Sequence, residues 1–172
     1  DGFFYRGKEV VVIGGGDTAM EEALFLTKFV NKVTIINRRE FLRASAIMQK
    51  RARDNEKIEW KLDYTPKKVL ADEKVTGIEL INNKTGEIET FKTDGIFVAI
   101  GRTPNTKFLE GKVEIDDRGY IMTKGKSSKT STSGIFAAGD VQDSKYQQAI
   151  VAAGSGAIAA LDVEEYLREN NL

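Results

Sequence analysis

The chain has 172 residues, which is enough for one well-packed core or two small domains. Its 26 Lys and Arg side chains balance 26 Asp and Glu side chains, so no net charge directs it to nucleic acid or to an anionic membrane, and we expect a globular protein that binds neither. It contains no Cys and no His, which excludes disulfides, thiolate nucleophiles and thiolate or imidazole metal ligands within this chain. We expect no metal site.

Neither a membrane span nor a signal peptide is predicted from the sequence. Residues 149–163 form the longest weakly polar run, but Gly154 and Gly156 interrupt it and Ala dominates it, which is too weak a signal for a membrane span. No signal peptide opens the chain, and we expect a cytoplasmic protein. Because the first residue is Asp1 rather than Met, we expect either processing or an absent N-terminal part. Residues 1–8 have no regular periodicity and predict a loop.

A strand, a glycine turn and a helix follow. Val10–Ile13 is an aliphatic run typical of a strand buried on both faces. The spacing Gly14-x-Gly16-x-x-Ala19 fits a dinucleotide-binding turn: the first glycine permits the bend, the second admits a pyrophosphate, and the alanine allows close helix packing. Residues 20–30 then show helical spacing. The unit predicts a diphosphate at the helix N-terminus, and an ordinary α/β turn is the alternative.

The residues after the second strand indicate which dinucleotide binds. Lys32–Ile36 completes a βαβ unit. An NAD-selective site places a carboxylate at the end of this strand for the ribose 2′-OH, whereas this chain has Arg38 and Arg39. Arg43 follows four residues after Arg39, which is one helical turn if the chain coils from Glu40 onwards. Guanidinium groups suit a phosphate monoester. The pattern predicts NADP(H), and a solvated basic turn without a ligand is the alternative.

A short helix is expected over residues 44–53, and the pattern then changes. Four segments approximate the alternation of strands, with a hairpin turn at residues 82–86. These segments are Ile58–Leu62, Lys67–Leu70, Val75–Ile81 and Glu87–Phe91. We expect a small antiparallel meander inserted after the second nucleotide-binding strand, in which Trp60 and Tyr64 are packing residues rather than a stacking platform.

The remaining elements predict a return to the nucleotide-binding sheet and an exit from it. Residues 94–101 predict a buried strand, and the turn that follows marks a domain boundary. A hairpin is expected over residues 113–123. Residues 132–140 predict a short apolar strand that delivers Asp140 at its carboxyl end, where open α/β sheets bind ligands. Residues 147–167 predict a long helix whose first half is small and apolar.

Five motifs, found in one order along the chain, carry a specific resemblance. They are Asp1–Tyr5, Gly14–Ala23, Arg38–Ala44, Ala99–Asn105 and Gly134–Asp140. Together they resemble the low-molecular-weight thioredoxin reductases over the whole chain. The resemblance implies an α/β fold with a Rossmann-like three-layer NADP(H)-binding domain, which includes the antiparallel meander, at residues 1–96. It implies the C-terminal part of an FAD-binding domain at residues 97–172.

The resemblance also implies which residues contact NADP(H). Backbone and small side chains of the glycine turn would surround its pyrophosphate, and guanidinium groups would surround its 2′-phosphate. The residues of the turn are Gly14, Gly16, Asp17 and Thr18. The residues at the 2′-phosphate are Arg38, Arg39 and Arg43.

A second set of implied residues belongs to the flavin. Gly139 and Asp140 match the motif whose aspartate binds the ribityl chain of FAD. Gln148 and Ala149 match positions whose backbone, at a helix N-terminus, faces the pyrimidine ring, where negative charge gathers in reduced flavin. Gly101, at the end of the returning strand, is a further cofactor-binding position.

Two departures from the family pattern change what this chain is expected to do. Asp1 matches the candidate general acid, but the redox-active Cys-x-x-Cys that precedes it in the family is absent here, and so is the first FAD half. We therefore expect the chain alone to bind NADP(H) without turnover, and FAD poorly or not at all. Gln147 and Asn37 stand where many relatives carry Arg and His, which affects local charge and not the fold.

The implied function is that of a fragment of an NADPH-dependent, FAD-containing thioredoxin-disulfide reductase, with thioredoxin as partner and a homodimer when intact. Two alternatives stay open. One is a ferredoxin/flavodoxin-NADP reductase or a peroxiredoxin-coupled reductase of the same architecture, although residues 1–4 match the segment that follows the cysteines of disulfide reductases. The other is a non-enzymatic NADP(H)-binding module, which leaves Gly139 and Asp140 without a use.

Overall fold

The structure is a computed structural model that describes residues 1–171. The chain divides into two compact units, of which the first is Asp1–Gly101 and the second begins at Arg102. This division falls after Gly101, at the turn that the chain pattern marks as a boundary, and five residues beyond Ile96, where the resemblance ends the first domain. The assignment of the two parts to NADP(H) and to FAD stays a prediction.

A four-stranded parallel sheet forms the centre of the first unit, with strand order β3-β2-β1-β7. Its strands are β1 (Glu9–Ile13), β2 (Lys32–Asn37), β3 (Ile58–Leu62) and β7 (Gly95–Val98). Two helices connect them, α1 (Asp17–Leu26) and α2 (Ala46–Arg53). The predicted strand-turn-helix-strand unit is confirmed, and it carries the glycine turn to the carboxyl edge of the central strand.

Three layers form because β1 is apolar on both faces. Val10 and Val12 pack with Ala19 and Met20 of α1 in one buried cluster. Val11 packs on the opposite face of the sheet, in a second cluster with residues of an antiparallel sheet. Fully burying each such aliphatic side chain stabilises the fold by about 1.5–3 kcal/mol. The predicted three-layer α/β architecture is confirmed.

The antiparallel layer has three strands in the order β4-β5-β6. They are β4 (Tyr64–Ala71), β5 (Val75–Asn82) and β6 (Ile88–Lys92). Ile78 and Leu80 of β5 are buried against the parallel sheet. Tyr64 packs against the same cluster, which agrees with its prediction as a packing residue.

The placement of Ile58–Leu62 in the antiparallel meander was wrong, because this segment is the parallel edge strand β3. An edge strand with one covered face alternates as an antiparallel strand does, so the pattern did not distinguish them. Ile58 and Trp60 pack on the helical side, and Glu59 between them forms an ion pair with Lys32. Trp60 is a packing residue, as predicted.

The first eight residues are also more regular than predicted, because Gly2–Tyr5 forms a 3₁₀ helix where a loop was expected. Tyr5 stacks edge-on against Phe97, with 5.2 Å between ring centroids, and covers the backbone of Gly95. Gly2 is buried against Leu26. These contacts join residues that are far apart in the sequence, so local periodicity could not predict them.

The second unit contains one long helix, α3 (Ala149–Glu169), and two short 3₁₀ helices, Lys107–Leu109 and Gly139–Val141. The predicted hairpin is reduced to a single antiparallel bridge between Ile115 and Ile121. The predicted strand at residues 132–140 is not a regular strand, since its one ladder contact is the bridge from Lys129 to Phe136. One bridge is too little pairing for a strand. A small cluster around Val113, Ile121 and Ala137 forms the core.

Within residues 1–171, no helix is long and apolar enough to cross a membrane. The same residues contain no group of three or more Asp and Glu side chains arranged to hold a metal ion.

The glycine turn provides a test of the fold. Gly14 has φ +150°, and a Cβ atom built on it would overlap the carbonyl oxygen of Ala99, so Gly14→Ala should lower the free energy of unfolding by about 3 kcal/mol. Gly16 has ordinary backbone angles and open space around it, so Gly16→Ala should cost about 1 kcal/mol, the loss of a favourable helix N-cap. Urea unfolding measures both. Equal destabilisation would contradict this account of the turn.

Candidate functional site

The glycine turn is fixed between the ends of three parallel strands. The N–H of Gly14 donates to the carbonyl oxygen of Ile36 at 2.9 Å, which ties the end of β1 to β2. The N–H of Ala99 donates to the carbonyl oxygen of Ile13 at 2.8 Å, which ties the end of β1 to the segment after β7. The turn therefore has a rigid base at the carboxyl edge of the sheet, the edge at which open α/β sheets bind ligands.

Two backbone N–H groups at the start of α1 are available to a ligand. Gly16 is the N-cap residue, and its carbonyl oxygen accepts from the N–H groups of Ala19 and Met20. The N–H groups of Asp17 and Thr18 have no acceptor among residues 1–171, as is usual for the first turn of a helix. With the positive end of the helix dipole, they meet the geometric requirement of the predicted pyrophosphate position, and the binding itself stays a prediction.

The carboxylate of Asp17 is directed to the protein. One of its oxygens accepts from both the backbone N–H and the hydroxyl of Ser45, each at 2.8 Å. These two hydrogen bonds hold the pKa of Asp17 below its ordinary value. Ser45 is the N-cap residue of α2, so Asp17 fastens the end of the arginine-bearing segment to the start of α1.

Residues 38–43, which we call the arginine loop, are bound to the glycine turn through backbone atoms. The carbonyl oxygen of Gly15 accepts from the N–H of Arg43 at 2.7 Å and from the N–H of Ala44 at 3.0 Å. The Asn37 side chain donates to the carbonyl oxygens of Arg39, at 2.7 Å, and Phe41, at 3.0 Å. Asn37 is thus an internal brace of the loop, and its amide supplies two donors that suit this geometry.

The antiparallel sheet supports the arginine loop from its other side. Asn83, in the turn between β5 and β6, donates from its side chain to the carbonyl oxygen of Arg38 at 2.8 Å. Lys84 forms ion pairs at 3.0 Å with Asp63 and with Glu40 of the loop. The hydrogen bond to Asp63 is the main cause that raises the pKa of Lys84, and the hydrogen bond to Glu40 raises it further. The three-layer arrangement therefore positions the loop that the sequence analysis singled out.

Three guanidinium groups are left available by this network. Arg38, Arg39 and Arg43 are exposed, and none forms an ion pair within the described residues. They border one small open pocket together with Gly15 and Asn37. Three like charges in one pocket repel each other, and a doubly charged anion with several acceptor oxygens relieves that repulsion.

The second unit brings Gly139 and Asp140 together with the start of α3. Gly139 has φ +76°, and its N–H donates to the hydroxyl oxygen of Ser155 in α3 at 2.8 Å. The Asp140 carboxylate accepts from the Arg102 guanidinium at 2.9 Å, and this ion pair lies at a cavity of about 270 Å³. Tyr120 and residues of the 102–105 turn also line that cavity.

The start of α3 is fixed by a loop with an aspartate at its centre. The Asp143 carboxylate accepts from the N–H groups of Lys145 and Tyr146, both at 2.9 Å, and hydrogen bonds from Tyr146 and then Lys145 hold the pKa of Asp143 below its ordinary value. Gln147 has φ +47° and donates from its side chain to the Tyr120 hydroxyl at 2.9 Å. Gln148 is the N-cap residue and Ala149 the first residue of α3.

Asp1 and Gly101 lie at the two ends of the first unit. Asp1 is exposed and is the N-cap residue of the first 3₁₀ helix, with its carbonyl oxygen accepting from the N–H of Phe4 at 3.1 Å. Gly101 is exposed, has φ +91° and would meet no atom within 4 Å if it carried a Cβ. The roles of both residues in catalysis or cofactor binding stay predictions.

Comparison with known proteins identifies the family. The family model described as pyridine nucleotide-disulphide oxidoreductase matches residues 2–156. The chain belongs to the pyridine nucleotide-disulphide oxidoreductase family. This membership agrees with a parallel sheet that carries a glycine turn and an arginine loop at its carboxyl edge.

Individual members of the family show how much of such a protein the chain represents. It is 49% identical to a thioredoxin reductase of Mycolicibacterium smegmatis, covering 99% of this chain and 55% of that protein. It is 53% identical to thioredoxin reductase 2 of Arabidopsis thaliana, covering 96% and 44%. The solved thioredoxin reductase of Streptococcus pyogenes superposes with a TM-score of 0.82 at 39% identity, covering 98% and 55%. The chain spans about half the length of the relatives it matches.

Several residues of this family member's site were not found from its sequence. Ser45, Asn83 and Lys84 act through hydrogen bonds and ion pairs to residues remote in the chain, and no local pattern reports such contacts. Asn37 did carry a signal, because it is a polar residue at the end of a buried strand and directly before the arginines. Ser155 carried a weaker one, as a hydroxyl among the small residues of α3.

The Asp17 brace predicts a pH dependence of stability. Because its pKa is lower in the folded chain than the ordinary 3.8, Asp17 stabilises the fold above pH 3.8, and this contribution is lost as the pH falls through the lower folded value. Wild-type chain should therefore become easier to unfold with urea between pH 5 and pH 3. Asp17→Asn should reduce that dependence, with Asp72→Asn, in the turn after β4, as control. An unchanged dependence in Asp17→Asn would contradict the role given to this carboxylate.

Proposed function

We propose that this chain is the NADP(H)-binding part, together with a portion of the flavin-binding part, of an NADPH-dependent thioredoxin reductase. The observation that carries the proposal is one small pocket bordered by Gly15 of the glycine turn and by three arginines that form no ion pair within residues 1–171. The similarity to thioredoxin reductases over nearly the whole chain supports it. For the 172 residues alone we propose binding without turnover, since they contain no Cys to form a redox-active dithiol.

The residues of the first unit fit NADP(H). The free N–H groups of Asp17 and Thr18 suit the pyrophosphate, and the open space at Gly16 lets it approach the backbone. Gly14 contributes the bend of the turn, which no residue with a Cβ could make against Ala99. The guanidinium groups of the arginine loop would then bind the 2′-phosphate. Gly14 therefore shapes the turn, and Gly16 lets the pyrophosphate approach the backbone.

The residues of the second unit fit part of FAD. Asp140 would accept hydrogen bonds from hydroxyls of the ribityl chain, and the exposed ion pair with Arg102 is weak enough to exchange. The N–H groups at Gln148 and Ala149 lie at the start of a helix of 21 residues, where the dipole favours negative charge. The turn at Gly139 is fixed by Ser155. These residues provide no pyrophosphate site for FAD, so we propose weak FAD binding by this chain.

When bound in the intact protein, the two cofactors would supply the redox chemistry, a hydride transfer from NADPH by way of FAD to a disulfide. The protein residues bind and orient these groups. Asp1 is proposed to supply the proton that a released thiolate requires, as a general acid. The arginine loop and the glycine turn would hold the 2′-phosphate and the pyrophosphate of NADP(H).

The partners and location of the intact protein are further proposals. We propose thioredoxin as the disulfide substrate, because the curated relatives of this chain are thioredoxin reductases. We also propose a homodimer located in the cytoplasm. The balanced charge of the chain gives it no electrostatic preference for nucleic acid or membranes.

Cofactor preference tests the proposed function. Replacing Arg43 by Ala removes a charge-assisted hydrogen bond to the 2′-phosphate, so the variant should bind NADP⁺ about 10- to 100-fold more weakly. Affinity for NAD⁺, which lacks that phosphate, should stay unchanged. Isothermal titration calorimetry of both cofactors gives the ratio. Arg51→Ala, which removes an exposed arginine of α2 outside the pocket, is the matched control. Equal losses for NADP⁺ and NAD⁺ would contradict a 2′-phosphate contact.

A further inference from the structure

An exposed aromatic ring borders the pocket of the arginine loop, beside the guanidinium groups assigned to the 2′-phosphate. Phe41 is 62% exposed, and it borders the same pocket as Gly15 and the three arginines. Exposing a phenyl ring of this size gives no stability to the fold, since its apolar surface stays in water. Its place among groups suited to phosphates indicates a ligand with both an aromatic part and an anionic part.

The ring is held in place by the loop that carries it. The carbonyl oxygen of Phe41 accepts from the Asn37 side chain at 3.0 Å, which fixes the backbone at this position. The Cζ atom of Arg39 lies over the ring, 5.4 Å from its centroid, in a cation–π arrangement. One face of the ring therefore contacts Arg39, and the large exposed fraction of the side chain leaves the other face open.

The charges around Phe41 favour a phosphorylated ligand over a protein surface. The neighbouring acid, Glu40, forms an ion pair with Lys84, whereas the arginines of the pocket have no ionic partner within the described residues. A flat ring beside unpaired guanidinium groups matches a nucleotide, whose base stacks while its phosphate accepts hydrogen bonds.

We propose that Phe41 is the stacking surface for the adenine base of the bound dinucleotide. The inference rests on the proposed function, because it takes the 2′-phosphate to be bound by Arg38, Arg39 and Arg43. In adenosine 2′-phosphate the base and the phosphate are both attached to one ribose, so a single pocket can hold them together. Phe41, the three arginines and Gly15 border one small open pocket, so the ring and the guanidinium groups lie side by side at the surface, as such a ligand requires. Phe41 thereby adds selectivity for the base to the selectivity for the phosphate.

A comparison of two nucleotides that share a phosphate isolates the stacking contact. Adenosine 2′-monophosphate and uridine 2′-monophosphate are titrated into the chain by calorimetry. Wild-type chain should prefer the adenine nucleotide, because the larger purine stacks more strongly. Phe41→Ala should weaken binding of the adenine nucleotide by about tenfold and leave the uracil nucleotide almost unaffected, so that the preference disappears.

Further variants separate stacking from general apolar contact. Phe41→Tyr should retain the preference for adenine, whereas Phe41→Leu, which is apolar but not flat, should lose most of it. Ile47→Ala, at an exposed position of α2 outside the pocket, is the control for loss of a surface hydrophobic side chain and should change nothing. Circular dichroism of each variant checks that the fold is intact. We expect an intact fold, because both substituted side chains are exposed.

The outcomes distinguish this inference from the function on which it rests. If wild-type chain binds NADP⁺ through the arginines but Phe41→Ala retains the full preference for adenine, the stacking role is overturned and the proposed function stands. If Phe41→Leu binds as well as wild type, the ring is not a stacking surface, which also overturns the inference. If wild-type chain binds neither NADP⁺ nor the 2′-nucleotides, the proposed function fails and the inference fails with it.

Discussion

The first unit depends on one carbonyl oxygen, that of Gly15. It accepts from the N–H groups of Arg43 and Ala44, and so joins the turn after β1 to the loop after β2. A Cβ atom at Gly15 would lie 2.6 Å from the Asn37 amide oxygen, so any side chain there would displace the amide that braces the loop. The glycine turn and the arginine loop are held in fixed register by this contact.

The remaining anchors oppose the repulsion among the three arginines. Asp17 fastens the end of the loop through Ser45, Asn37 braces it from within, and Asn83 holds its start. Each neutral hydrogen bond contributes about 1 kcal/mol, and those to a carboxylate contribute more. The antiparallel layer therefore supports the arginine loop as well as the core. A loop fixed in advance also lowers the entropy lost when a ligand binds.

The sequence predicted the parts of this architecture that have local causes. Three features can be recognised from a few consecutive residues each. They are the aliphatic run of β1, the glycine spacing and the arginines at the end of β2. The sheet that Ile58–Leu62 joins was not predictable in this way, because an edge strand alternates in either kind of sheet. The braces at Ser45 and Asn83 act across 28 and 45 residues of chain, so their roles emerge only once the layers are assembled. The strand expected at residues 132–140 has too few pairing partners to form.

The central claim is that the glycine turn and the arginine loop make one binding site for NADP(H). Amide chemical shifts of ¹⁵N-labelled chain, followed during titration with NADP⁺, test it most directly, since every backbone N–H reports its own surroundings. The account predicts saturating shifts concentrated at residues 15–18 and 38–44, with the second unit nearly unaffected. Shifts that spare either segment, or that are concentrated in the second unit, would contradict it.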